Sequence, residues 1–151
     1  MSLLHDAYTA LLSGLTHKEN GKIRWANENN RDIWITIIDV NKEKYYVEYI
    51  NNGDKYWYQN GLRHRLDGPA IEHSNGDKVW YQEGKLHRLD GPAVDCDNGD
   101  KFWYQNYKLH RLDGPAIEWA DGIKYWYING KELTEEEFER IINGPDNSKV
   151  L

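Results

Sequence analysis

A histidine and an arginine stand side by side three times, at His64-Arg65, His87-Arg88 and His110-Arg111, each pair opening the string HRLDGPA. Imidazole exchanges protons near neutral pH, and guanidinium grips carboxylates and phosphates with a planar fork of donors. Pairs recurring every 23 residues therefore offer two chemistries: acid–base catalysis, or a row of donors that holds an anionic partner. Catalysis needs unlike groups converging on one reacting centre, whereas tandem copies place the same groups at displaced points. The chain also carries no Cys/His metal-ligand cluster, no phosphate-cradling glycine loop and no serine nucleophile elbow. The expectation is a non-enzymatic protein with no catalytic residue, no metal site and no cofactor.

The same string also reads as architecture. Gly68-Pro69, Gly91-Pro92 and Gly114-Pro115 mark a bend, because proline pushes its predecessor out of the α region. Asp67, Asp90 and Asp113 are placed to accept backbone N–H groups there, and Leu66, Leu89 and Leu112 are expected to drop into the core. On this reading the arginines pair with aspartates of their own or the adjacent repeat, and each histidine packs on or bonds to a neighbouring turn. The ligand-binding alternative keeps His64, Arg65, His87, Arg88, His110 and Arg111 as a gripping row.

The elements that must position these residues repeat with them. Three gapless copies start at Gly53, Gly76 and Gly99, and a fourth, GIKYWYINGKEL from Gly122, breaks off into TEEEFERI. Each copy has a turn signal at its start (Asn52-Gly53, Asn75-Gly76, Asn98-Gly99, Asp121-Gly122) and another inside it (Asn60-Gly61, Glu83-Gly84, Asn106-Tyr107, Asn129-Gly130). Both kinds suit two-residue hairpin turns in which each central residue takes positive φ; Tyr107 brings strain to its turn or changes the turn type. Between turns runs an alternating strand. It sends Trp57, Trp80, Trp103 and Trp126 to one face, expected to be core, and Tyr58, Tyr81, Tyr104 and Tyr127 to the other with Tyr56, Val79, Phe102 and Tyr125.

Composition narrows the partners. Seven Trp, 11 Tyr and 2 Phe must supply much of the burial, and 25 acidic against 19 basic side chains give a net charge of -6, which disfavours nucleic acid. The lone Cys96 stands where sister repeats have His73 and Trp119, a replaceable position. No apolar run is long enough to span a bilayer and the start lacks a secretory signal. The expectation is a cytoplasmic protein without a membrane partner.

The flanks predict helices. Leu3, Leu4, Ala7, Tyr8, Leu11, Leu12 and Leu15 fall at helical spacing, forming a cap over the ribbon's open end or a homo-oligomer contact. Residues 21–30 read as a loop, Asp32–Ile38 and Lys44–Ile50 as a diverged leading hairpin, and Thr134 with Glu137 as the capping box of a terminal helix. The whole is one mainly β domain over 1–151: helix segment 1–20, leading hairpin 31–52, an antiparallel hairpin ribbon over 53–133, and capping helix 134–144.

The hairpin unit with its Trp, NGK and His resembles the MORN repeat. In its LHR-x-DGPA and WYINGK-x-LTEEEF strings it looks like the MORN-like repeat proteins of tailed bacteriophages and giant viruses, over about Gly53 to Phe138. Ordinary MORN repeats carry H-G-x-G where this chain has His64-Arg65-Leu66-Asp67-Gly68. The resemblance implies a hairpin fold and a non-catalytic recognition role in the host-cell cytoplasm. Its expected partner is a host protein, bound in a counter-defence role, with a sponge for an anionic nucleotide-type signalling molecule as the alternative.

Overall fold

The structure, a computed structural model, describes residues 52–144 together with four preceding strands. These are β1 (His17–Glu19), β2 (Lys22–Ala26), β3 (Asp32–Val40) and β4 (Glu43–Ile50), which lie antiparallel in chain order beside β5 (Lys55–Gln59). The leading hairpin is present and slightly longer than its sequence suggests, with Ile33 opposite Ile50 and Val40 opposite Glu43. Two expectations need correction. The 21–30 stretch is no simple loop, since β2 runs through it, and 17–19 is a strand rather than the end of a helix. The sequence KIRWA does alternate, but over too few residues to stand out from its polar surroundings. The amphipathic helix over 3–15 lies outside the described residues.

From β5 onward each repeat adds two short strands to the sheet. Tyr56, Ile71, Val79, Val94, Phe102, Ile117 and Tyr125 pair in succession along one ladder. With strands roughly 4.8 Å apart, the repeats follow one another every ~10 Å.

The ribbon turns a corner at each tryptophan. The Trp57 N–H donates to the Ala70 carbonyl at 2.8 Å, while its own carbonyl accepts from His64 N–H at 3.1 Å. Beyond that point the chain folds back as a second hairpin, with Tyr58 opposite Arg63 and, in the next copies, Tyr81 opposite Leu86 and Tyr104 opposite Leu109. These hairpins also join one another, through Gly84 N–H to Arg63 O (2.9 Å) and Arg65 N–H to Tyr81 O (3.1 Å), and equivalently onward. The expected ribbon therefore has two hydrogen-bonded layers meeting along a line of alanines. Ala70, Ala93 and Ala116 are completely buried, and their carbonyls each accept a tryptophan N–H at 2.8 Å.

The two kinds of turn differ. The inner turns have positive φ at both central residues, including Asn106 (50°) and Tyr107 (70°), so Tyr107 keeps its sisters' turn type and carries a backbone cost of about 1 kcal/mol that glycine avoids. The outer turns are not the expected two-residue type. Gly76 is left-handed (φ 102°) and the residue before it is not; Gly76 N–H reaches His73 O at 3.0 Å and His73 N–H reaches Asp77 O at 2.9 Å. This is a three-residue loop ending in a glycine bulge. Asn75 shapes it by accepting the Asp77 N–H at 3.1 Å.

Helix α1 (Glu135–Asn143) closes the array as predicted. Thr134 accepts the Glu137 N–H while Glu137 accepts the Thr134 N–H, and three glutamates occupy the positive first turn. Its buried Phe138 and the buried Leu133 seal the last hairpin, each side chain contributing about 2 kcal/mol.

Candidate functional site

The arginines of HRLDGPA turn inward. Arg65 lays its guanidinium on the Trp57 ring, 3.7 Å from the centroid, and Arg88 and Arg111 cover Trp80 and Trp103 at 3.9 Å. In the same repeat, Arg65 Nε donates to Asp67 at 2.9 Å, and Nη1 donates to the Pro69 carbonyl at 3.2 Å and to Glu72 at 2.8 Å. Arg111 repeats the pattern with Asp113 (2.7 Å), Pro115 (3.1 Å) and Glu118 (2.7 Å). A Cβ at Gly68 or Gly91 would lie 2.8 Å from the arginine Cζ, so any larger residue there would push the guanidinium from its place on the bend. Each HRLDGPA loop is a clamp in which a cation is stacked on tryptophan and neutralised by its own repeat.

The histidines link one repeat to the next. The Nδ1 atoms of His64, His87 and His110 accept the backbone N–H of Glu83 (3.0 Å), Asn106 (3.2 Å) and Asn129 (3.0 Å), the strained first residues of the following inner turns. His64 and His110 are buried, and burial pushes the His110 imidazole below the ordinary histidine range.

A second ladder along the opposite turns escaped the sequence reading. Asp54, Asp77 and Asp100 each accept, at 2.8 Å, a backbone N–H from the next outer turn: Ser74, Asp97 and Ala120. Asp54 is buried and also receives Asn52 Nδ2 (3.0 Å) and Tyr56 OH (3.2 Å), with His73 Nδ1 at 3.2 Å. The signal was present in the final copy, where the aspartate is replaced by Ile123 and the histidine by Leu133. No further repeat follows there to be capped.

With the arginines folded in, leucines and aspartates face outward. Leu66 and Leu89 are 61% and 74% exposed, not in the core as expected, while Leu112 is half-buried. The bend lifts these side chains away from a corner that Ala and the arginine–tryptophan stack already fill. Asp90 and Asp113 side chains are 83% and 84% exposed. Between the first two loops lies an open cleft of about 460 Å³ bordered by Leu66, Asp67, Trp80, Gln82, Arg88 and Leu89. Trp57, Trp80, Trp103 and Trp126 are half-buried, the first three beneath arginines, and Tyr58, Tyr81, Tyr104 and Tyr127 are half-buried in the second hairpins.

Among the described residues no three His, Cys, Asp or Glu side chains gather to hold a metal ion, and no helix is long and apolar enough to cross a membrane. Compared with known proteins, the chain matches no family model, no curated protein and no solved structure.

Proposed function

We propose that this chain is a non-catalytic binding module that takes a protein partner along its HRLDGPA loops. The supporting observation is the division of labour within that string: Arg65, Arg88 and Arg111 are spent inside the fold, whereas Leu66 and Leu89 project beside exposed aspartates at the rim of a cleft. Exposed apolar side chains around a concavity mark interaction sites. The fitting partner inserts an apolar side chain between the loops and sets Lys or Arg against Asp67, Asp90 and Asp113. The likeness of the repeats to viral MORN-like proteins makes a host protein in the bacterial cytoplasm, bound by a phage product in counter-defence, the natural partner of this kind.

A second reading, a sponge for an anionic nucleotide-type molecule, draws on Arg88. Its repeat has Asp95 where the others have Glu72 and Glu118, one methylene shorter. Among the described residues, the Arg88 side chain donates to Asp90 and the Pro92 carbonyl but to no second carboxylate, and it borders the cleft.

Affinity capture from host lysate separates the two, with bound proteins and heat-released small molecules analysed by mass spectrometry. The wild-type chain is expected to retain a stoichiometric protein, and Leu66→Ser/Leu89→Ser to retain at least tenfold less with its fold intact. A phosphorylated metabolite released from the wild type and missing from Arg88→Gln would favour the sponge. Protein capture unaffected by the leucine changes would place the surface elsewhere.

A further inference from the structure

Among the described residues, the last strand of the repeat sheet, Lys124–Ile128, is paired along Lys124-Tyr125 on one side only. Tyr125 and Lys124 face Ile117 and Glu118 of the strand before, and the returning Lys131–Leu133 strand engages only residues 126–128. In the preceding repeats the other side is filled: Lys55, Lys78 and Lys101 face Glu72, Asp95 and Glu118 of the strand that follows, and the Trp57, Trp80 and Trp103 amides reach Ala70, Ala93 and Ala116 carbonyls at 2.8 Å. Among the described residues, nothing takes this place beside Lys124. Trp119 N–H bonds to Ile123 O at 2.9 Å, so ladder alternation turns the Lys124 N–H and C=O to the open side.

The side chains there differ from those of an ordinary guarded edge. A lysine often protects an edge strand, yet this lysine occupies the same position in every copy, paired strands included. The position that caps the next turn as Asp54, Asp77 and Asp100 has become Ile123, which is 50% exposed, beside Trp119 and Tyr125 at 39% each. The capping group has been exchanged for apolar surface.

We infer that this edge accepts an extended segment of a partner protein as an added strand. The three filled junctions define the segment: a small residue whose carbonyl sits near the Trp126 amide, a β-branched residue on Tyr125, and an acid against Lys124, followed by an apolar residue over Ile123. This surface is separate from the loop cleft and does not depend on it.

The test titrates a fluorescein-labelled, end-capped peptide of sequence GPAIEWA, that of residues 114–120, into the full chain and follows anisotropy. Saturable binding is expected. Lys124→Pro, which removes an outward N–H that an edge strand can spare, should weaken it at least tenfold without lowering the melting temperature. Lys124→Glu should weaken it similarly, with affinity regained by a peptide carrying Lys in place of Glu. The Leu66→Ser/Leu89→Ser protein should bind the peptide unchanged. The inference is overturned by no saturable binding to wild type, by equal affinity for wild type and both Lys124 variants, or by a dimer in sedimentation that Lys124→Pro dissociates, since a second copy would then own the edge.

Discussion

Asp54→Ala is expected to destabilise the protein by about 3 kcal/mol, the loss of charge-assisted bonds together with the burial of donors left unmet. The Ser74 amide would lose its acceptor where the first repeat meets the second, and Asn52, Tyr56 and His73 would lose theirs in the same pocket. The effect also has a pH signature. The Ser74 amide above all, then the Asn52 side chain and His73, outweigh burial and hold the Asp54 carboxyl well below the ordinary carboxylate range. A carboxyl depressed in the folded state stabilises fully above its unfolded pKa of about 3.9, and that contribution disappears as pH falls through the folded value. In urea unfolding at a series of pH values, the gap between wild type and Asp54→Ala should be constant above about pH 5 and shrink steadily below about pH 4. A gap independent of pH would mean that the charge does not hold this junction.

His110→Ala is expected to cost about 2–3 kcal/mol, from the unmet Asn129 amide and the space left by a buried ring. Asn129 sits at φ 52°, so the histidine also supports a backbone conformation that is unfavourable by itself. Only an unprotonated Nδ1 can accept the amide. Because burial lowers the folded-state pKa of this imidazole, its stabilisation is complete above about pH 6.5, the unfolded value, and declines as pH drops through the lowered one. Wild type should therefore lose stability between pH 7 and 5 by more than His110→Ala does, as read from unfolding midpoints. Parallel losses in the two proteins would assign the acid sensitivity to another group.

The periodicity of the chain made the hairpin array, its inner turns and the terminal capping box legible, because each depends on neighbours close in sequence. What it hid depends on contacts between copies or on the path of the chain in space. Asp54, Asp77 and Asp100 were not legible as a ladder, since their partners lie 20 residues ahead. Leu66 and Leu89 looked like core by hydropathy, but the interior position beside the bend belongs to the arginine stacked on tryptophan. Arg65, Arg88 and Arg111 could be seen as either clamp or grip from type alone. The distances to Asp67, Asp90 and Asp113, 2.9, 2.8 and 2.7 Å, are what favour the clamp.

The claim that this row holds the fold, leaving recognition to the leucine and aspartate rim, is tested most directly by thermal unfolding of Arg111→Gln. Losing the stack on Trp103 and the pairs with Asp113 and Glu118 should remove about 2 kcal/mol and lower the midpoint by roughly 5–10 °C. Partner capture by the protein that remains folded should persist. An unchanged midpoint together with lost capture would contradict the account and make the arginines the binding groups themselves.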